Sequence, residues 1–184
     1  MKEYILEVKK LIPKNLCDKI ITYFDEDMFD ATVTDPESPL QKNIRNCLTK
    51  SILQPKTFGE TICSNAAQEK IFQCAQHYES LHPMVSTERI SQLDLLKYES
   101  NEYEAGYNFH KDFGNNCFER HLSISICLNN DFLGGEFVFK LPEGQYTVAQ
   151  NVGDAIVFPS NFMFPHQVKK IIKGTRYALI GWVI

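Results

Sequence analysis

The hydrophobic pattern of the chain changes near Pro83. Before this residue, apolar positions recur at helical spacing in two segments, residues 13–28 and 58–81, and the pattern predicts a helix in each. Residues 29–56 lie between them and contain three prolines, which favours short extended pieces and loops. The apolar face expected for the second helix consists of Ile62, Ala66, Ile71, Ala75 and Tyr78.

After Pro83, short alternating or apolar runs are separated by turn residues, as is typical of an all-β sandwich or barrel. This part predicts eight antiparallel strands and therefore a double-stranded β-helix, or jelly roll. The strands are predicted at residues 90–98, 107–112, 120–128, 136–140, 146–150, 155–158, 166–171 and 175–183. The fold class is mainly β with supporting N-terminal helices. We expect a single domain, 1–184, in which 1–85 supports a jelly-roll core formed by 86–184.

Two of the predicted strands have faces of different character. Residues 121–128 alternate between Leu or Ile on one face and His, Ser or Cys on the other, so Ser123, Ser125 and Cys127 could line a cavity. In the last strand, Arg176 and Trp182 share a face with the small and apolar residues between them. The interior is therefore expected to carry polar groups at defined positions.

Composition limits the classes of function. The formal net charge of −4 and the pI near 5.7 argue against a nucleic-acid partner, because phosphate contacts need clustered Lys and Arg. Charges interrupt the N-terminal segment, which excludes a secretory signal, and no apolar stretch is long enough for a membrane span. The six cysteines are widely spaced without a CxxC pair, which fits reduced thiols and a cytoplasmic location.

The clearest candidate chemistry is a metal site. His110 and Asp112 stand two positions apart on a predicted strand, so their side chains point to the same face, and His166 follows on a distant strand. Two imidazoles and one carboxylate leave open coordination positions on a metal, which is the arrangement of non-haem Fe(II) oxygenases. These three residues are the predicted metal ligands.

Arg176 suggests a co-ligand for this metal. We expect Lys173 and Gly174 to turn a hairpin between the last two strands, which would place Arg176 about five residues, or roughly 16 Å, from His166. A guanidinium can hold a carboxylate through two parallel hydrogen bonds. The spacing predicts a small dicarboxylic acid between the metal and Arg176.

Several segments together resemble a known family. Their order and spacing are similar to the prolyl 4-hydroxylase-like branch of the Fe(II)/2-oxoglutarate-dependent dioxygenases, over about residue 98 to the C-terminus. The segments are residues 105–112 with the sequence AGYNFHKD, Arg120, Leu128-Asn129, GGEFVF at 134–139, VGDAIVF at 152–158, PHQV at 165–168 and GTRYALIGW at 174–182.

The resemblance implies a catalytic core and a reaction. His110, Asp112 and His166 would bind Fe(II), and Arg176 would hold the distal carboxylate of 2-oxoglutarate. With O2 as the oxidant and ascorbate as a candidate reductant, the enzyme would hydroxylate a C–H bond and release succinate and carbon dioxide. A peptidyl proline is the expected substrate, and a free amino acid or another small metabolite is the alternative.

The resemblance also assigns further residues. Tyr98 would lie in the 2-oxoglutarate pocket, and Tyr107 and Trp182 would contact the substrate. Family members often carry a Tyr where this chain has Cys127, so the second anchor of the distal carboxylate falls to Cys127 itself, to Ser125 or to water.

Other functions remain open from the sequence alone. A non-catalytic metal-binding or sugar-binding jelly roll would retain the same ligands. A zinc hydrolase is disfavoured because no general base is evident near them and Arg176 would lack a role. Halogenating relatives lack the carboxylate ligand that Asp112 supplies here. The sequence does not define the oligomeric state.

Overall fold

Two antiparallel sheets face each other and form the predicted jelly roll. The computed structural model describes residues 1–33, 40–100, 104–114 and 117–184. Its helices are a short 3-10 helix Lys2–Tyr4, α1 Lys14–Phe24 and α2 Phe58–Leu81. Its strands are β1 Leu6–Val8, β2 Phe29–Asp30, β3 Arg45–Asn46, β4 Leu48–Ser51, β5 Ile90–Glu99, β6 Gly106–His110, β7 Leu122–Cys127, β8 Phe132–Gly134, β9 Phe137–Leu141, β10 Gly144–Val148, β11 Ala155–Pro159, β12 His166–Val168 and β13 Ile171–Val183.

The larger sheet has the strand order β1-β11-β7-β13-β5-β4-β2, with β8 paired to β13, and the smaller sheet has the order β10-β9-β12-β6-β3. The mainly β jelly-roll class expected from the sequence is confirmed. The N-terminal part contributes more than support, because β1 to β4 extend both sheets. Among the described residues, no helix combines the length and apolar content that crossing a membrane would require.

Helix α2 has the predicted bounds, but its buried face differs from the prediction. Ile62 is exposed, whereas the neighbouring Cys63 is buried. The helix begins with a capping box, in which Thr57 accepts a hydrogen bond from the Glu60 amide and Glu60 accepts one from the Thr57 amide. Small residues allow the helix to pack closely on the larger sheet, and its buried stripe consists of Cys63, Ala67, Ile71, Cys74, Ala75 and Tyr78.

The larger sheet separates two hydrophobic cores. On its outer face, α1 and α2 pack against residues such as Ile124 and Leu179. On its inner face, residues such as Ile180 and Trp182 meet Phe137 of the smaller sheet. The alternation predicted for β7 and β13 thus corresponds to two different environments.

The hairpin predicted at Lys173 and Gly174 is wrong. Residues 171–183 form one continuous strand, whose first part pairs with β8 and whose remainder pairs with β5 and β7. Gly174 has a φ of 81°, and a Cβ atom at this position would lie 2.4 Å from the backbone oxygen of Asp131. Glycine therefore allows a close approach between strands here and does not form a turn. His166 and Arg176 consequently lie on opposite sheets, so the axial separation expected from the hairpin does not apply.

Candidate active site

Three side chains converge between the sheets at one end of the smaller sheet. His110 is the last residue of β6 and pairs directly with His166, the first residue of β12, while Asp112 follows β6 by two positions. Asp112 Oδ1 lies 3.6 Å from His110 Nε2, and Asp112 Oδ2 lies 3.7 Å from His166 Nε2. The three candidate ligand atoms lie within 4.8 Å of one another. This group could hold one metal ion.

Backbone contacts orient both imidazoles toward the common point. His110 Nδ1 lies 2.8 Å from the Asn108 carbonyl oxygen, and His166 Nδ1 lies 3.0 Å from the Phe164 carbonyl oxygen. Because a carbonyl oxygen only accepts, each Nδ1 carries the proton and each Nε2 keeps a free lone pair. Burial, together with the neighbouring His166, lowers the pKa of His110 to about 3. The imidazole of His110 is therefore neutral, as a metal ligand must be.

Asp112 is held by residues of the larger sheet. The Ser123 hydroxyl donates to Asp112 Oδ2 at 2.6 Å, and Ser123 also contacts the Ser160 hydroxyl at 2.8 Å. Burial alone would raise the pKa of Asp112, but the two imidazoles and the Ser123 hydroxyl outweigh it and keep that pKa below its usual value. The nearby Trp182 indole N–H also lowers the pKa of Asp112, but it lies outside hydrogen-bonding geometry with every described residue. The carboxylate is thus charged and fixed in orientation.

A β-bulge in β6 brings Tyr107 to the same face as His110. Residues three positions apart on a regular strand point in opposite directions, but here the two steps from His166 to Val168 on β12 span the three steps from His110 to Tyr107 on β6. The rings of Tyr107 and His110 consequently stack, with centroids 3.4 Å apart and planes 15° apart. Tyr107 therefore contacts a predicted metal ligand in addition to lining the cavity, a position that strand periodicity does not predict.

A cavity of about 550 Å³ adjoins the three ligand residues. Arg176 lies in its wall on β13, is 2% exposed, and has its guanidinium 5.6 Å from the Tyr98 ring centroid. No carboxylate of a described residue forms an ion pair with Arg176. Since an unpaired buried guanidinium is costly, this position fits an anionic ligand that enters the cavity. Tyr98, Ser125, Tyr107 and Trp182 line the same cavity.

Cys127, a predicted site residue, does not line this cavity. It is buried at the end of β7, and its thiol lies 3.1 Å from the Asn129 carbonyl oxygen. Ser125, two positions earlier on the same face, does reach the cavity wall. Of the two protein candidates for a second carboxylate anchor, Ser125 is therefore better placed.

Two further arginines in the cavity wall had no role in the sequence-based prediction. Arg120 donates to the Asp112 carbonyl oxygen at 3.2 Å and to Gln92 at 2.7 Å, and its guanidinium lies 3.8 Å from the Trp182 ring centroid. Arg45, on the edge strand β3, lies with its guanidinium 4.9 Å from the Tyr107 ring centroid. Arg45 falls in a segment read only as extended pieces and loops, so no local pattern identified it. Arg120 is one of the residues that carry the family resemblance, and nothing else in the sequence indicated that it would lie in the cavity wall.

The fold and this pocket define a jelly roll with a two-histidine, one-carboxylate site. Residues 94–184 match the family model described as the 2OG-Fe(II) oxygenase superfamily, and the chain belongs to this superfamily. The donor atoms fit the Fe(II) ion that the superfamily's description names, since nitrogen and oxygen ligands on three corners leave positions open.

Relatives and solved structures agree with this assignment. The chain is 28% identical over 123 residues to a PKHD-type hydroxylase of Idiomarina loihiensis, a match that covers 65% of this chain and 54% of the relative. The chain thus spans about half the length of the curated relatives it matches. In fold it is similar to a Pseudomonas putida prolyl-4-hydroxylase, with a TM-score of 0.75, 19% identity and coverage of 98% and 92% of the two chains. It is also similar to a Trichoplax adhaerens prolyl hydroxylase in complex with a hypoxia inducible factor peptide, with a TM-score of 0.74, 15% identity and coverage of 98% and 83%.

Proposed function

We propose that this protein is an Fe(II)- and 2-oxoglutarate-dependent dioxygenase that hydroxylates a C–H bond, with a peptidyl proline as the substrate. The observation that carries the proposal is the placement of His110, Asp112 and His166 beside a cavity whose wall contains the buried guanidinium of Arg176. Membership of the 2OG-Fe(II) oxygenase superfamily supports the same chemistry.

In this proposal each side chain has a defined task. His110 and His166 offer their Nε2 lone pairs and Asp112 a carboxylate oxygen to Fe(II), and Arg176 holds the distal carboxylate of 2-oxoglutarate. Bound Fe(II) and 2-oxoglutarate would activate O2 so that the co-substrate is converted to succinate and carbon dioxide while the substrate is hydroxylated. Apolar residues of the wall, among them Phe137 and Ile180, exclude water from the cavity.

Proline as the target is supported by the names of the neighbours. The Trichoplax adhaerens structure contains a bound peptide, and the Pseudomonas putida structure is a prolyl-4-hydroxylase. A free amino acid or small metabolite is the alternative substrate. We also propose a cytoplasmic location, because all six cysteines are free thiols, as a reducing compartment would keep them.

The deciding experiment measures succinate formation and O2 uptake with Fe(II), 2-oxoglutarate and ascorbate, together with mass spectrometry of proline-containing peptides for one added oxygen atom. We expect succinate from the wild-type protein and none above background from Asp112→Ala, with the fold retained by circular dichroism. Asp18→Ala, which removes an exposed carboxylate on α1, serves as the matched control. Absence of succinate from the wild-type protein would instead support a non-catalytic metal-binding jelly roll.

A further inference from the structure

Arg45 places a second guanidinium on the cavity, next to the candidate metal site. Arg45 on β3 pairs directly with Tyr107 on β6, so the two side chains share the inward face of the smaller sheet. The guanidinium lies over the Tyr107 ring, and that ring stacks on His110. Only the width of one aromatic ring separates Arg45 from a candidate iron ligand.

The hydrogen-bonding capacity of Arg45 is only partly used within the protein. One guanidinium nitrogen donates to the Thr32 carbonyl oxygen at 2.9 Å, and the group also interacts with the Cys47 thiol. The Nε atom is buried and has no hydrogen-bond partner among the described residues. No described carboxylate forms an ion pair with Arg45, and a buried donor of this kind destabilises the protein unless a ligand satisfies it.

The charge of the cavity wall points in the same direction. Among the described residues, the wall contains four basic side chains, Arg45, Lys111, Arg120 and Arg176, but one acidic side chain, Asp112. Asp94 lies on β5 near these groups and accepts a hydrogen bond from Gln92 Nε2, and with it counted the four basic side chains still outnumber the two carboxylates. The charges of Fe(II) and 2-oxoglutarate cancel, so the excess of basic groups persists after both have bound.

We infer that Arg45 binds a carboxylate of the substrate, and that the substrate is therefore an acidic, proline-containing molecule. This inference rests on the proposed function and narrows its substrate class. Two sources supply the same chemistry: the free α-carboxylate of a terminal proline, and an acidic side chain beside an internal proline. A carboxylate can accept two parallel hydrogen bonds from a guanidinium, which a neutral amide cannot match.

Matched ligand pairs test the inference and distinguish the two sources. The first pair is N-acetylproline and N-acetylproline amide, and the second is a blocked peptide with Asp or Asn next to proline. Binding is measured calorimetrically in the presence of Mn(II) and 2-oxoglutarate, and hydroxylation is measured as kcat/KM with Fe(II). In at least one pair, we expect the acidic member to bind at least about 10-fold more tightly, and to have a higher kcat/KM by a similar factor, than the neutral member.

Arg45→Gln should lower affinity and kcat/KM for that acidic member about 10- to 100-fold and leave the neutral member nearly unchanged. The effect is read as the ratio between the acidic and the neutral member, and the KM for 2-oxoglutarate should change far less than this ratio. Lys42→Gln removes one charge from an exposed residue that pairs with Asp30, and it controls for general electrostatics. Arg45→Lys keeps the charge but not the fork geometry, and it should recover only part of the preference.

Equal binding of both members in each pair would overturn the inference, as would equal losses for both members in Arg45→Gln. A raised 2-oxoglutarate requirement in Arg45→Gln would also overturn it, because Arg45 would then serve the co-substrate. Failure of the proposed function is recognised separately, as absence of wild-type succinate formation. In that case the calorimetric comparison with Mn(II), which requires no turnover, still decides whether Arg45 selects a carboxylate.

Discussion

The hydroxyl of Ser123 lies 2.6 Å from Asp112 Oδ2 and links a strand of the larger sheet to a candidate ligand that follows a strand of the smaller one. This hydrogen bond fixes the orientation of the carboxylate before a metal binds. Ser160 contacts the same hydroxyl, so the contact belongs to a short buried polar chain.

Ser123→Ala should therefore weaken Fe(II) or Co(II) binding about 10- to 100-fold, because groups that orient metal ligands commonly contribute this much. The fold should remain, with a stability loss of about 1 kcal/mol from the Ser160 hydroxyl that loses its partner. Isothermal titration with Co(II) and thermal unfolding measure the two effects. Ser80→Ala removes an exposed hydroxyl that donates to the His77 carbonyl oxygen and should change neither. Wild-type metal affinity in Ser123→Ala would refute the orienting role.

Arg176→Ala should raise the KM for 2-oxoglutarate at least about 100-fold, because two charge-assisted hydrogen bonds would be lost from a buried site. Fe(II) affinity without 2-oxoglutarate should change much less. The exposed Lys173 lies on the same strand, and Lys173→Ala is the control for removal of a positive charge. An unchanged KM in Arg176→Ala would exclude Arg176 as the carboxylate anchor.

Gly174→Ala should destabilise the protein by about 2 kcal/mol or more, because the new Cβ atom would meet the Asp131 backbone oxygen at 2.4 Å while φ is 81°. Gly144 also has a positive φ, of 123°, but no atom lies within 4 Å of its added Cβ. Gly144→Ala therefore isolates the backbone strain. Denaturant unfolding of both variants gives the comparison, and equal losses would argue against a steric conflict at Gly174.

Asp154 makes stability depend on pH. Its buried carboxylate accepts hydrogen bonds from the backbone amides of Lys10 at 2.9 Å and Asn151 at 3.0 Å, and it pairs with Lys9. Burial raises the pKa of Asp154, but these partners outweigh burial and hold that pKa below its usual value. The unfolded chain therefore binds the proton more readily, and the stabilisation is lost as the pH falls below about 4.

Asp154→Asn should consequently be less stable than the wild type at pH 7, and this difference should shrink as the pH falls from about 4 toward the lower native pKa. Urea unfolding at several pH values measures it. Asp18→Asn alters an exposed pair with Lys14 and should have little effect at any pH. A stability difference that does not change with pH would assign the role of Asp154 to packing.

Sequence periodicity predicted the two faces of β7 and β13, because alternate residues of these strands face the helix-side core and the pocket side of the larger sheet. Ser125 lines the pocket and Ser123 contacts Asp112 on the same inner face, as alternation with Ile124 and Ile126 indicated, and Arg176 shares its face with Trp182. The clustering of His110, Asp112 and His166 also followed from residue type and spacing. Whether these residues bind Fe(II), as expected, stays a prediction.

The missed features depend on contacts between distant segments. The bulge that turns Tyr107 toward His110 arises from pairing with β12, and the path through Gly174 depends on close approach to Asp131. Arg45 faces the cavity because β3 pairs with β6. The residues around Arg45 show no alternating pattern that would predict this short strand or its inward face. Local periodicity cannot report such pairings, since it reflects only the surroundings of one segment.

The larger sheet keeps the helix-side core apart from the residues around the pocket. Replacements at Ala178, Ile180 or Trp182 would reshape the pocket, whereas Leu179 and Val183, at alternating positions on the same strand, would keep their packing against the helix side. Evolution could thus alter which molecules this scaffold accepts while the helix-side core stays packed, and directed mutagenesis of the pocket could take the same route.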